Sequence, residues 1–287
     1  MKYAFMHENK GQFRVIVMAR VLNVSRSGFY RWSKCKEPTA RARKRERLDT
    51  QVANVFAQRK GRYGAPRVTQ ELAADGVSVN RKTVAASLKR QGLRAKAGKR
   101  FKVTTNSAHS LPVSPNILGG DFTATTIDEK WAGDITYLAT GEGWLYLAVV
   151  LDLYSRRVLG WAMSERMPAK LVCDALTMAI WHRHNPKGVI VHSDRGSQYC
   201  SSEYRNLLRR YGFISSMSGT GNCYDNACVE SFFHTLKVEL VHGESFATRE
   251  QMRRAVFEYI ETDYNRTRRH STLGYLSPEA FEAACAA

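Results

Sequence analysis

Cysteines are few and unpaired: six, at 35, 173, 200, 223, 228 and 285, with no CxxC among them. That scarcity argues against a disulfide framework and supplies no zinc-ligand spacing. Reduced thiols and a cytoplasmic setting are expected. No run approaches the roughly 18 apolar residues of a membrane span, which argues against a membrane protein. The opening MKYAFMHENKGQF lacks the apolar core of a signal peptide. Acidic residues are scarce too, but only in one part. Residues 1–110 hold 6 Asp and Glu against 26 Lys and Arg, a net of +20. Residues 111–287 hold 20 against 18, a net of −2. The whole excess of +18 therefore lies in the first part. This is the pattern of a polyanion-binding arm on a near-neutral body. Nucleic acid, rather than a merely basic soluble surface, is the expected partner.

In RVIVMARVLNVSRSGFYRW (14–32), Val15, Ile16, Met18, Ala19 and Leu22 recur at helical spacing. Asn23-Val24 makes a tight joint. Ser25 is placed to cap a second helix bearing Arg26, Phe29, Tyr30, Arg31 and Trp32. Residues 1–38 thus read as a helix-turn-helix-like segment. A charged helix follows over 39–60, with Leu48, Val52, Val55 and Phe56 as its apolar stripe. Gly61, Gly64 and Pro66 break GRYGAPRV. Further on, Gly76 ends one helix and Asn80 caps the next. That geometry sets Asn80, Arg81, Lys82 and Thr83 on the exposed first turn of a recognition helix, within reach of base edges. A solvated basic helix is the plainer alternative; the local charge favours DNA. Residues 39–103 are therefore expected to form a basic helix-turn-helix DNA-binding domain. TTNSAHSLPVSPN, rich in Ser, Thr, Asn and Pro, marks a linker over 104–124.

The pattern then changes. WAGDITYLA (131–139) alternates as a strand, WLYLAVVLDL (144–153) is an apolar run of strand formers, and RRVLGWAM (156–163) gives a third. Pro168 opens a helix to about His184. VIVHS is a fourth strand, CSSEYRNLLRRYG a serine-capped helix and FISSM a short fifth strand. Residues 227–240 and 247–263 read as two more helices. Antiparallel strands followed by alternating helix and strand imply an α/β class with a mixed five-stranded sheet flanked by helices. That order is compatible with an RNase H-like core, here over 125–245, preceded by the basic all-α region. Residues 246–287 form a helical extension with a basic loop, in which Ser277-Pro278 starts the last short helix. Arg266, Arg268 and Arg269 of YNRTRRHSTLGYLSP are expected to meet phosphate. The alternative is a solvated turn.

Three acidic residues occupy suggestive places. Asp134 lies within the first strand, Asp194 ends the fourth, and Glu230 sits on the helix ACVESFFHTLKVEL. On that helix Val229, Phe232, Phe233, Leu236 and Leu240 form the packing stripe. At about 100° per residue, Glu230, His234 and Lys237 flank it. Three carboxylates suit phosphodiester cleavage. Two divalent cations about 4 Å apart activate the attacking oxygen and stabilise the leaving one. Mg²⁺ takes hard oxygen ligands, so few carboxylates suffice. The residues by themselves leave the choice open. Asp128, Asp152, Asp174 and Asp225 compete, Asp152 most closely because it too follows an apolar run. From the helix alone, Glu230 reads as an edge-of-core contact worth a few tenths of a kcal/mol.

WAGDITYL, VHSDRGSQY and NCYDNACVESFFHTLKVEL, in that order, resemble the three catalytic blocks of DDE transposases and retroviral integrases. The second Asp and the Glu are separated by 35 residues, 195 to 229. GRYGAPRV, the basic helices after it, YNRTRRHSTLGYLSP and the opening MKYAFMHENKGQF…VLNVSRSGFYRW resemble the second-frame (OrfB) product of the insertion-sequence-three family. The resemblance covers nearly the whole chain. It implies an integrase-type catalytic core in which Asp134, Asp194 and Glu230 are catalytic metal ligands for two Mg²⁺ or Mn²⁺ ions, and Asp152 is not. The implied activity is cleavage of DNA at the ends of a bacterial insertion sequence and strand transfer of the freed 3′ hydroxyl. It sets Lys237 on the element's terminal DNA, and Arg62 and Arg67 of GRYGAPRV join the DNA-binding set. His192, Ser193, Asn222 and Asn226 become polar neighbours of metals or DNA, and His234 either supports the groups around the metals or is structural. The implied partners are double-stranded DNA of the element ends and target, further copies of the chain on that DNA, and the first-frame (OrfA) product or a fusion with it. The implied place is the bacterial cytoplasm, with the nucleoid and no membrane. The competing expectation is an element-encoded DNA-binding regulator or assembly scaffold without catalysis of its own. The zinc module of retroviral integrases and a long leucine-zipper pattern are both lacking.

Overall fold

Short polar signals set the helix ends in the first part of the chain. The computed structural model describes residues 1–34, 39–97, 112–219 and 226–286, in two units, Met1–Ala95 and Lys96–Ala287. In the first, α1 (Lys2–Glu8), α2 (Val15–Val21) and α3 (Arg26–Lys34) surround Met6, Met18, Ala19 and Phe29. Asn23 turns the chain between α2 and α3 in the left-handed region, φ 51°. Ser25 Oγ accepts the Gly28 N–H at 3.2 Å, as a cap should. The helix α1 was not expected: seven residues carry too little periodicity to be read, and only Met6 is buried.

The next three helices are α4 (Ala40–Gln58), α5 (Ala65–Ala74) and α6 (Arg81–Arg90). Thr39 caps α4, and Pro66 lies in the first turn of α5, where its missing N–H does no harm. Gly76 makes the turn after α5 at φ 78°. Asn80 Oδ1 accepts the Lys82 N–H at 2.8 Å and starts α6 at the expected residue. Val52, Val55, Val68, Leu72, Val84 and Leu88 form the core they share. Asp49 on α4 grips α6 through Ser87 Oγ and Arg90 Nη2, both at 2.5 Å.

The second unit is built on a five-stranded sheet of order β3-β2-β1-β4-β5. Its strands are β1 (Lys130–Thr140), β2 (Gly143–Asp152), β3 (Val158–Ser164), β4 (Ile190–Ser193) and β5 (Ile214–Met217). The first three are antiparallel; β4 and β5 run parallel to β1. Alternation at period two gives the sheet two apolar faces. Leu138, Leu145, Leu147, Val149 and Leu151 face α9 (Ala227–Leu236) and α10 (Arg249–Glu258). Trp131, Ala148 and Val150 face α7 (Ala169–His182) and α8 (Ser202–Tyr211). Gly160 lets α7 lie hard against β3, since a Cβ there would stand 2.1 Å from the Ala175 carbonyl oxygen. The expected mixed α/β fold is observed.

Two helices depart from expectation at their C-terminal ends. The helix α9 continues as a π-helical turn, Lys237–Val241, and α10 as another, Tyr259–Tyr264. They meet around a buried carboxylate. Tyr259 Oη donates to Glu239 Oε2 at 2.9 Å, and Arg268 donates to both Glu239 oxygens at 2.8–3.1 Å. This corrects the expectation that Arg268 meets DNA. It is only 8% exposed, and its guanidinium fork is spent on Glu239. Ser277 Oγ caps α11 (Pro278–Ala286), accepting the Ala280 N–H at 3.2 Å. Among the described residues no helix is long and apolar enough to cross a membrane.

Candidate active site

The strands β1 and β4 run side by side with Gly133 opposite Ser193. The residue after each is an aspartate, so this register puts Asp134, on β1, beside Asp194, the first residue past the end of β4. Asp134 is half-buried, and its Oδ1 accepts the Ile135 N–H at 2.8 Å. Asp194 Oδ1 accepts the Gly196 N–H at 2.9 Å, an approach a larger residue would crowd, because a Cβ at 196 would stand 3.0 Å from that oxygen. Arg195 Nε donates to the Ser218 carbonyl at 2.6 Å and ties this turn to the end of β5. His192 is fully buried, with Nδ1 2.9 Å from Ser216 Oγ and Nε2 3.4 Å from Ser218 Oγ. Ser193 is buried as well, its hydroxyl donating to the Asp194 carbonyl. Both residues therefore brace the strand end from inside; neither reaches the surface where DNA would lie.

The helix α9 brings the remaining groups. Asn226 Nδ2 donates to the Gly133 carbonyl at 3.4 Å and pins the helix start beside Asp134. Val229, Phe232, Phe233 and Leu236 then seat α9 on the sheet. Electrostatics report the outcome. Burial holds the Asp134 carboxyl well above the usual range; Asp194 and Glu230 add repulsion, while the Ile135 N–H and Lys237 oppose it. Glu230 is raised by burial of its inner side, although much of the residue meets solvent. The Lys237 ammonium is pushed down by burial and partly restored by Asp134. Its Nζ stands 4.9 Å from the centre of the Tyr137 ring. Among the described residues, however, no three Asp, Glu, His or Cys side chains are gathered into a metal cage. Glu230 is near enough to raise Asp134 without closing on the aspartate pair. Mutual repulsion of three carboxylates opposes such closure.

The rival carboxylates have other tasks. Asp152 is fully buried at the end of β2 and accepts backbone N–H bonds from Asp128, Tyr154 and Ser155 at 2.8–2.9 Å. It is a turn carboxylate. Asp128 pairs with Arg183 at 3.1 Å, and Asp174 with Lys170 across one turn of α7. Asn222 and Asp225 lie outside the described residues, and His234 is exposed on α9. Tyr199 is a residue that sequence reasoning missed. It is buried, with its phenol pushed well up by burial and by both aspartates. It lies within VHSDRGSQY, but an aromatic there reads as core.

Of the residues expected on DNA, Arg81, Lys82 and Thr83 are exposed in the first turn of α6; Asn80 is exposed too, with its side-chain oxygen engaged in the cap. Arg62 and Arg67 are half-buried, and Arg67 lies 5.4 Å from the Tyr63 ring centre. Arg266 is exposed, 3.6 Å from Glu279, whereas Arg269 turns back to donate to the Tyr275 carbonyl.

Comparison with known proteins accords with this layout. A family model described as an integrase core domain matches residues 124–223, which hold both aspartates, and a second one matches 230–284, starting at Glu230. A model of an HTH-like domain matches 43–101, which contains α5 and α6. The chain is 58% identical over 285 residues, 98% of each chain, to the transposase InsF for insertion sequence IS3A of Escherichia coli (strain K12). The chain belongs to the IS3 transposase family. A Shigella sonnei protein described as the insertion element IS600 uncharacterized 31 kDa protein is 45% identical over 264 residues, 92% of this transposase and 97% of that relative. A more distant solved structure, the HTLV-2 integrase catalytic core domain in complex with magnesium, shares 15% identity at a TM-score of 0.42, covering 56% of this transposase and 99% of that chain.

Proposed function

We propose that this transposase cleaves DNA strands and joins the freed ends at the notch formed by Asp134, Asp194 and Glu230, using divalent metal. The observation that carries the reading is the adjacency of Asp134 on β1 and Asp194 just past the parallel β4, with Glu230 and Lys237 brought toward them by one helix. The donor set fits Mg²⁺ or Mn²⁺. It is made of hard carboxylate oxygens, and the buried Asn226 Oδ1 beside it has no hydrogen-bond partner among the described residues. Asp134, Asp194 and Glu230 would hold two ions. When bound, these supply Lewis-acid activation of the attacking oxygen and neutralise the charge on the leaving one. The chain's own groups do the rest. The three carboxylates must shed their protons to bind the ions, against the repulsion that raises Asp134. Lys237 offers its ammonium to a phosphate next to them. The Tyr199 phenol, kept protonated by burial, is a neutral wall beside the aspartates.

Arg81, Lys82 and Thr83 on α6 would hold duplex DNA, with Arg62, Arg67, Arg266 and Arg269 adding phosphate contacts. In this arrangement 1–38 and 39–103 bind, 125–245 catalyse, and 246–287 buttress the catalytic helix. Of the expected linker 104–124, residues 104–111 lie outside the described residues, while 112–124 pack on the catalytic unit, with Leu118 in its core and the Ile117 and Leu118 N–H groups donating to Ser216 Oγ. Element ends and target are the DNA substrates in the bacterial cytoplasm, with further copies of the chain and the first-frame product as protein partners. The competing reading is a DNA-binding regulator without catalysis, which the open arrangement of Glu230 favours. Cleavage of duplexes carrying the element's ends, with Mg²⁺ against EDTA, separates the two. Asp134→Asn, Asp194→Asn and Glu230→Gln are each expected to reduce cleavage to background while binding stays within about twofold, since phosphate contacts dominate affinity. Cleavage retained by purified Asp194→Asn would overturn the assignment.

A further inference from the structure

Beyond Asp134, β1 carries a second surface that this reading leaves unused. Tyr137 lies three residues further along the strand, which is roughly 10 Å at 3.3 Å per residue. Across the hairpin, Trp144 on β2 approaches it, with ring centroids 4.9 Å apart and planes at 82°. Both rings meet solvent, Tyr137 at 36% and Trp144 at 50% exposure. Lys237 reaches the same place, 4.9 Å from the Tyr137 ring centre, while still feeling Asp134. An ammonium, a phenol and an indole thus lie together, and the ammonium is also within electrostatic reach of the Asp134 carboxylate, which alternation sets on the other face of the strand. The Trp144 backbone is held in place, since its carbonyl accepts Arg249 Nε at 3.2 Å and Glu142 accepts the Arg249 N–H at 2.8 Å. Arg249 also pairs with Glu165 at 3.2 Å.

An exposed pair of large rings is more than hairpin stabilisation needs, because a cross-strand aromatic contact contributes only about 0.2–1 kcal/mol. The combination of a cation and adjoining aromatic faces matches a nucleotide, with the ammonium for phosphate and the rings for base. Paired bases in an intact duplex are stacked on each other and offer no face. The strand rise of roughly 10 Å between Asp134 and Tyr137 spans about three stacked base steps of 3.4 Å. We propose that Trp144 and Tyr137 form a stacking shelf for an unpaired base near the strand end held at the carboxylates, with Lys237 gripping the phosphate between them. The proposal rests on the assignment of Asp134, Asp194 and Glu230 as the cutting site. It makes the transposase a reader of opened DNA ends as well as of duplex.

The test is equilibrium binding of the full-length protein in Ca²⁺ to two probes, a blunt duplex and the same duplex with a few unpaired terminal nucleotides. The last unpaired base is 2-aminopurine, whose fluorescence falls when it stacks. The wild type should prefer the open-ended probe by at least about fivefold, the lower end of one base–aromatic stack, and should quench the fluorophore. Trp144→Leu, which keeps apolar bulk without a ring, should lose the preference and most of the quenching. Trp144→Phe should keep most of both, and all three should bind the blunt probe alike. Tyr137→Leu provides an independent second reading should a Trp144 variant fold poorly. Equal affinity of the wild type for both probes overturns the shelf, as does a preference that survives Trp144→Leu. Because no cleavage is read, the outcome is separable from the cutting assignment: quenching by a wild type that never cuts in Mg²⁺ would remove that assignment and leave the stacking result standing.

Discussion

Asp134 is a poor residue for folding, and on the proposed reading its charge is there to hold cations. Burial and two neighbouring carboxylates raise it well above its ordinary 3.8. A carboxyl whose folded value is raised binds its proton more tightly in the native state. It therefore weakens the fold once the pH passes the ordinary value, and the penalty grows until the raised value is reached. Asp134→Asn removes the charge and keeps the shape. In EDTA at neutral pH this variant should melt above the wild type by about 2–4 °C for each kcal/mol relieved. The advantage should shrink as the pH falls toward 3.8 and vanish below it, where the wild-type side chain is protonated in both states. Adding Mg²⁺ should raise the wild type more than the variant, because ions that bind only the native state stabilise it by mass action. A variant that melts below the wild type at every pH in EDTA would show that Asp134 is a structural residue. Asp152 marks the contrast at the same scale. It also ends an apolar run, yet three backbone N–H groups use its oxygens, and such a carboxylate has little left for a cation.

The two π-helical turns matter because of what they join. The Lys237–Val241 turn continues the helix that carries Glu230, and Glu239 within it is held by Arg268 and Tyr259 from the C-terminal part of the chain. Insertions of this kind recur at functional sites, where they re-aim side chains. Arg268→Met should leave a buried carboxylate uncompensated and cost about 3–5 kcal/mol in urea unfolding. Pairing it with Glu239→Met should recover much of that loss. If Arg268 instead met phosphate, its loss would lower the salt dependence of DNA binding and leave stability unchanged, which urea titration and binding isotherms distinguish. Little of this was legible in the sequence. The strands, the Asn80 and Ser277 caps and the α9 stripe announce themselves through alternation, capping chemistry and 3.6-residue spacing, all of them local. So does the pairing of Asp194 with the end of an apolar strand. The burial of Arg268, the partners of His192 and the task of Asp152 depend on residues far away in the chain, and a basic run such as RTRRH looks alike whether it faces solvent or a hidden glutamate. Choosing Asp134 and Glu230 from their rivals also required the resemblance between whole blocks, since no single residue carries that information.

At the scale of the whole molecule, charge and chemistry are divided. Residues 1–110 carry a net of +20 and 111–287 a net of −2, so on the proposed reading most of the affinity for DNA and the cutting of it belong to different parts. Binding that neutralises phosphates releases condensed cations, and the logarithm of affinity then falls linearly with the logarithm of salt, by about 0.9 per phosphate contact. The division makes two classes of variant behave oppositely. Arg81→Ala and Lys82→Ala, both exposed in the first turn of α6, should each flatten the salt slope by about one and weaken binding at low salt, leaving Mg²⁺-dependent stabilisation intact. Asp194→Asn should do the reverse, keeping the slope and losing the metal response. The measurement is a binding isotherm at several salt concentrations for the wild type and the variants. A double Arg81→Ala, Lys82→Ala protein with an unchanged slope would move the DNA contacts off α6. The basic excess would then be doing its work elsewhere in residues 1–110, where Arg41, Arg43, Lys44 and Arg45 on α4 form the next densest run of positive charge.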